Sequence, residues 1–451
     1  MEERVLYEKT SPIRLFFIVA IPGMISMLMS SIYQVIDGVF VGQFLGSQGF
    51  AALNLAMPLV IINFAFADLI GVGSSVPIAI KLGEKDKESA CNIFTSSCIM
   101  IIFTGTLLGA VFFFGADTLL SWMGAEGNLA KLAGDYLRVC ALASPFITIL
   151  FAVDNYLRIC GKVKYSMMMN IIMALSIIVI EFLFLYVFRL GIWAAALAVC
   201  LGMFIGVIVG FIPFFRGKLV LRFVKPRFTL KMIGLIIANG TPAFLNNVAG
   251  RMTSILMNVI LLRLGGGTAV SAYGMLMLID GIIIQILYGL TDSLQPSIGY
   301  NFGAGNNKRV KAIERIAIGA CAIISIVSAI ITFFAGDFIV RLFANSDEVA
   351  VIEMASQAIK LFSLTYVTRW ISHSVQSYMS AVNKAAYASI ISFCMAFIFP
   401  VILIFMLDSS LGLTSVWLNM PLTSLLTGIL AIILLLLSKR RSKINTSEYI
   451  N

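Results

Sequence analysis

A handful of ionisable side chains stand inside stretches of this chain that otherwise carry almost no charge. They are Asp37, Asp68, Asp154, Glu181, Asp280 and Asp292, with Arg158, Arg251, Arg369 and His373. A carboxylate in an apolar medium is costly to ionise, so it can exchange a proton or a small cation as its surroundings change. Asp37 and Glu181, in the first and fifth apolar stretches, suit that chemistry. Asp68, Asp280, Asp292 and Arg251 lie where long helices would line a cleft, and Asp292 is a candidate partner for Arg251. Asp154 with Arg158, and Arg369 with His373, are four residues apart and share a helical face; structural or gating roles are expected. His373 is the single histidine. Histidine can shuttle protons, yet packing or hydrogen bonding is the expected role here. One histidine, no HExxH and no GxSxG string leave no set of groups for a hydrolytic centre. Neither enzyme activity nor a cofactor is expected.

The elements that must position these groups follow from composition. Apolar residues make up 60% of the 451, charged residues 12%, and the mean hydropathy is +1.00. Soluble domains carry about twice that charge. A bilayer accepts helices with no polar face, and about twenty apolar residues cross it. Apolar stretches run over about 12–36, 49–80, 91–114, 131–158, 166–188 and 192–215, then 230–262, 268–300, 312–336, 354–381, 386–407 and 412–438. The expectation is an all-α polytopic membrane protein with twelve transmembrane helices. The second and eighth stretches are long enough to tilt or project. The short charged start, 1–10, leads into a first stretch with no cleavage pattern, so a retained helix is expected. Seven cysteines lie in or beside apolar stretches without a CxxC pair, as small buried hydrophobes do.

Lys and Arg then set the orientation. Twenty-four of them collect on one side of such a topology, in the N-terminus, alternate loops and the tail Lys439, Arg440, Arg441 and Lys443. Only Lys131, Arg189, Arg263 and Arg341 fall on the other. Basic loops stay cytoplasmic, so both termini are placed there. Trp122, Trp193 and Trp417 fall at the sparsely charged face, where an interfacial aromatic belt is expected. The net charge of +10 is thereby a membrane signature, with no basic stripe interleaved with aromatics for nucleic acid.

The chain also repeats itself at an offset near 220. Pro22 pairs with Pro242, Pro77 with Pro296, Asp117 with Asp337, and Leu190-Gly191 with Leu411-Gly412. Tyr156, Lys162 and Tyr165 recur as Tyr378, Lys384 and Tyr387. Six spans per repeat give the halves one orientation, related by a pseudo-two-fold axis along the membrane normal. The expected division is an N-terminal lobe, 1–215, a basic linker, 216–229, and a C-terminal lobe, 230–451. Pro22 removes a hydrogen bond from the first helix, and a bend is expected there.

Three strings carry a resemblance: Asp37-Gly38-Val39-Phe40-Val41-Gly42, Arg158-Ile159-Cys160-Gly161, and the more specific run from Pro296 to Gly305, PSIGYNFGAG. Across its whole length the chain resembles the multidrug and toxic compound extrusion (MATE) family, in its DinF-like branch and MepA-like subgroup. That resemblance implies a secondary active exporter of cationic or amphipathic small molecules, in antiport with H⁺ or Na⁺. It implies that Asp37 and Glu181 are the N-lobe coupling acids and that Asp292 matches a subgroup acid. The family often has Asn four residues before the fifth-helix acid and Pro after it; Ile177 and Phe182 stand there instead. Ser176 is the substitute oxygen, and the reduced donor set favours H⁺ over Na⁺. Asn246 and Asn247 replace the acid of the NorM-like branch. A monomer in the cell (plasma) membrane, bacterial and inner, is expected, with membrane lipid around it. The alternative is a flippase for lipid-linked oligosaccharides, with Arg251 and Arg369 as its cations.

Overall fold

The computed structural model describes residues 4–343 and 349–448, and only the backbone of 342–343, 408–411 and 441–448. The Leu411 side chain of the repeat and those of Arg441 and Lys443 in the tail therefore lie outside what is described. Every regular element among the described residues is helical. In the first half these are α1 (Pro12–Gly83), α2 (Lys87–Trp122), α3 (Gly127–Ile147), α4 (Leu150–Ile159), α5 (Val163–Phe182) and α6 (Ile192–Phe215). The second half holds α7 (Leu230–Gly303), α8 (Asn307–Phe334), α9 (Gly336–Phe343), α10 (Val349–Phe362), α11 (Thr365–Ala381), α12 (Ala385–Phe393), α13 (Phe399–Leu411) and α14 (Leu413–Glu448).

A straight helix of 72 residues would be about 108 Å long, several times the thickness of a bilayer. α1 is not straight. Gly46 leaves helical geometry at φ 71°, and Phe50 beyond it lies 3.7 Å from a β-carbon built on Gly38. Twelve residues of straight helix would separate those two by about 18 Å, so the chain doubles back. Gly266, its counterpart in the repeat, does the same in α7 at φ 63°. A left-handed φ is cheap for glycine alone. The first span thus runs to Gly46, ten residues beyond the expected end at 36. Gly38 and Gly42 keep helical geometry, and the break comes at Gly46, the one glycine of this stretch with a left-handed φ.

Nine stretches among the described residues are long and apolar enough to cross a membrane, with α1 and α7 each counted once. Splitting those two at their glycines gives eleven. The twelfth is α10 with α11, interrupted at Ser363–Leu364 so that neither piece is long enough alone. Twelve spans, six per half, match the expectation.

One expectation fails locally. Trp417 is 6% exposed and packs at 6.4 Å against Tyr273 in the core of the second half; of the three belt candidates only Trp122 and Trp193 are exposed. Apolar burial outweighed an interfacial place for that ring. Pro22 lies inside α1, in which Gly46 alone leaves helical φ and ψ. All seven cysteines are free, six buried and Cys394 partly so.

The halves meet along α1 and α7. Gly73 faces the Ile236 carbonyl, Gly240 faces that of Leu69, and Gly23 faces Ser293 and Gly289. Phe66 and Phe244 meet ring to ring at 5.0 Å. Across this seam lies the segment Val5–Lys9, whose Leu6 and Tyr7 are buried. The Tyr7 hydroxyl donates to the Arg158 carbonyl in the first half. Asn301 and Arg309 of the second half donate to the Tyr7 carbonyl at 3.1 and 2.7 Å. None of these contacts involves residues 25–65 of α1 or 248–286 of α7. The halves are sealed at the end that carries the N-terminal segment.

Candidate functional site

Asp37 sits on α1 nine residues before Gly46, and Glu181 is the penultimate residue of α5, just before a π-helical turn, Leu183–Val187. Their exposures are 6% and 0%. Each carboxyl is the other's charged neighbour. Both Glu181 oxygens and Asp37 Oδ1 are buried without a hydrogen-bond partner of normal geometry. Tyr33, one turn before Asp37, and Tyr136 of α3 border the same point, as do Cys140 and Cys200. Two bare negative charges side by side in a dry interior repel strongly, so the pair is a place for a proton or a small cation. Tyr33 was legible as the residue four before Asp37; Tyr136 has no local signal.

Ile177 shares the face of Glu181 and packs on Gly202 of α6. Ser176 is half-buried and, at about 100° per residue, stands about 140° round the helix from Glu181. The structure does not bring its hydroxyl to the carboxyl pair. No cluster of three or more His, Cys, Asp or Glu able to hold a metal ion occurs among the described residues.

A cavity of about 340 Å³ opens in the second half, between α7, α11, α14 and the turn joining α12 to α13. Asn246, Asn247, Arg251, Asp280, Thr365 and Arg369 line it. Asp280 takes a 2.5 Å ion pair from Arg369 and a 3.0 Å hydrogen bond from the Tyr366 hydroxyl. Arg369 and His373 are both buried, but the His373 ring packs edge-on against Tyr288 at 4.9 Å, with Nε2 unpartnered. Tyr366 escaped the sequence reading because its partner is 86 residues away.

Asp292 does not pair with Arg251. It lies twelve residues beyond Asp280 on α7, about 18 Å along the helix, and its basic neighbour is Arg158. Gln295 donates to it at 2.8 Å. Asp68 is beside it at the seam and accepts from Asn247 at 3.2 Å. Arg158, 1% exposed, pairs with Asp154 at 2.5 Å and crosses to the Ser293 hydroxyl at 2.9 Å. Ser166 and Asn170 complete the shell around Asp154 at 2.5 and 2.7 Å. Pro22 is buried next to Gly23 on the same seam. Three constellations result: an acid pair in the first half, a polar cavity in the second, and a tie between them.

Residues 22–183 and 242–406 both match the MatE family model, and the two matches begin at Pro22 and Pro242, the prolines that mark the internal repeat. The chain belongs to the MatE family. Among similar MatE relatives is the multidrug export protein MepA of Staphylococcus aureus, 26% identical over 455 residues covering 100% of this chain and 99% of that one. The Staphylococcus haemolyticus MepA is likewise 26% identical over 455 residues, with the same coverage. These relatives are named as export proteins, not as enzymes. In three dimensions the chain superposes on MATE in complex with MaL6 at a TM-score of 0.92, with 20% identity and 99% of each chain covered. An outward-facing multidrug resistance MATE transporter of the MOP superfamily gives 0.89, with 22% identity and 96% of each chain covered.

Proposed function

We propose that this MatE protein is a multidrug efflux carrier that exports small cationic or amphipathic molecules in exchange for protons, with its halves rocking as two lobes. The observation that carries the coupling step is the Asp37–Glu181 pair, buried with unpartnered oxygens and no compensating base beside it among the described residues. Proton occupancy there changes the electrostatics of four helices at once. The excess of Lys and Arg at the sealed end makes that end cytoplasmic, so the halves stand open to the outside. In this state protons enter from outside and substrate leaves. One charge moved through 100 mV supplies about 2.3 kcal/mol, enough to drive a neutral substrate outward against a gradient. Arg369, one of the two candidate cations for a flippase, is neutralised by Asp280.

Proteoliposomes carrying an imposed pH gradient test this. Dye exchange should follow the gradient and vanish in Asp37→Asn and Glu181→Gln. Exchange that ignores pH, follows Na⁺ instead, or survives both substitutions defeats the proton-coupled reading.

A further inference from the structure

The second-half cavity differs in polarity from the acid pair of the first half. Its only charged lining residues, among those described, are Arg251, Asp280 and Arg369. The Asp280 and Arg369 charges cancel in their 2.5 Å pair, and Tyr366 further occupies Asp280. What remains is one positive charge. Arg251 has no ion-pair or hydrogen-bond partner among the described residues, and it is solvent-accessible while the cavity walls surround it. Two other lining groups are unsatisfied: Asn246 Oδ1 and Thr365 Oγ are buried with no partner.

We infer that this cavity binds the anionic group of an amphipathic small molecule, a carboxylate above all, through Arg251 with Thr365. A guanidinium presents two parallel N–H donors that match a carboxylate's two oxygens. The Thr365 hydroxyl can donate to a remaining lone pair, whereas Asn246 Oδ1, an acceptor, suits an N–H or O–H elsewhere on the molecule. Asn247 is less available, since its amide nitrogen already holds Asp68 at 3.2 Å. Met277, Ile284, Met395 and Met420 supply a deformable apolar wall for the rest of the molecule. A volume of about 340 Å³ accepts a substituent or a small ligand, at the low end of the usual range. A simple cation finds no free carboxylate among the lining residues. Amphiphiles that carry a carboxylate are the substrate class this half selects. This inference rests on the export reading for its physiological meaning, but not for the binding it predicts.

The test uses the full chain in phosphatidylcholine nanodiscs and two dyes, rhodamine B and its ethyl ester, which differ by one carboxylate. Fluorescence polarisation should show rhodamine B binding about tenfold more tightly, as a charge-assisted hydrogen bond allows. Arg251→Gln should abolish that preference by weakening the free acid alone, and Arg251→Lys should restore part of it. Arg251 has no partner to lose among the described residues, so neither change should unfold the protein; a monodisperse elution profile checks this. Equal affinity for the two dyes in the wild type, or equal weakening of both by Arg251→Gln, overturns the inference. So does displacement of rhodamine B by phosphatidylglycerol, which would assign the site to a lipid headgroup. If carboxylate-selective binding holds while proteoliposomes move neither dye, the site stands and the export reading falls. Exchange of both dyes without discrimination has the reverse meaning.

Discussion

Gly83 stands so close to the Tyr300 carbonyl that a β-carbon on it would lie 2.0 Å from that oxygen. The relationship is repeated with the halves exchanged: Gly303 meets the Ile80 carbonyl, where a β-carbon would lie at 2.1 Å. Gly83 and Ile80 are the repeat counterparts of Gly303 and Tyr300. The seam is therefore self-complementary, as a two-fold interface is, and it closes only with glycine at both places. In each case the obstructing atom belongs to the backbone of a buried helix, which cannot swing aside.

Gly83→Ala and Gly303→Ala are expected to push the seam apart without unfolding either half. Spin labels on Ile32→Cys and Ile255→Cys, in the arms away from the seam, should report a shorter distance as the open end closes. Transport should fall by at least about tenfold, the equivalent of a shift near 1.4 kcal/mol.

Glu181→Gln should abolish coupled exchange while leaving thermal stability equal to or above the wild type. An uncompensated buried carboxyl costs free energy that an amide does not. A thermal melt in detergent, set beside the transport assay, separates this from simple misfolding. A large fall in Tm would mean that the carboxyl has a partner holding the fold together.

Arg158→Ala should be much worse than Ser293→Ala. The first leaves Asp154 without its base in a mostly buried place, which costs about 3–5 kcal/mol. Ser293→Ala removes the cross-seam bond at 2.9 Å, worth about 1.5–3 kcal/mol for a charged donor, together with the Ser293 hydroxyl's bond to the Gly289 carbonyl of its own helix. It should shift the balance between conformations and lower Tm far less than Arg158→Ala does. Comparing melts with spin-label distances distinguishes the two effects.

Asp86 caps α2 by accepting from the Ser89 N–H at 3.1 Å, and Asn306, its counterpart in the repeat, caps α8 by accepting from the Arg309 N–H at 3.2 Å. The Ser89 hydroxyl and N–H hold the Asp86 carboxyl below its ordinary range. A lowered carboxylate stabilises the fold above its unfolded value, about 3.9, and loses that contribution as pH falls through its folded value. Asp86→Ala should cost about 1 kcal/mol at neutral pH. Asp86→Asn should keep most of the cap, as Asn306 does, and flatten the acid dependence of the melt. The side chain is 38% exposed, so solvent screens the charged part of the effect.

The architecture was legible because the bilayer makes hydrophobic length a direct measurement of span, and because Pro, Gly and Tyr at one offset do not recur by chance. The twelve spans, the N-terminal placement of Asp37 and Glu181, and the Asp154–Arg158 pair all depend on residues close in sequence or on bulk composition. Trp417 was misplaced because an aromatic near a helix end can serve an interface or a core equally well. Arg251 and Asp292 were wrongly paired because opposite charge says nothing of height along a helix, and twelve residues of α7 separate Asp292 from Asp280 at the cavity.

Periodicity and composition by themselves determined that this chain crosses a membrane, how often, and that it is built twice. They also marked which acids stand where ionisation is expensive. Only the tertiary structure decided which charges cancel: Arg369 belongs to Asp280, Arg158 to Asp154, and Arg251 to no acid among the described residues. Contacts such as Tyr366 with Asp280, or Arg158 with Ser293, join positions far apart in the chain. They depend on how two bent helices pack, and that is set by glycine geometry summed over the whole seam.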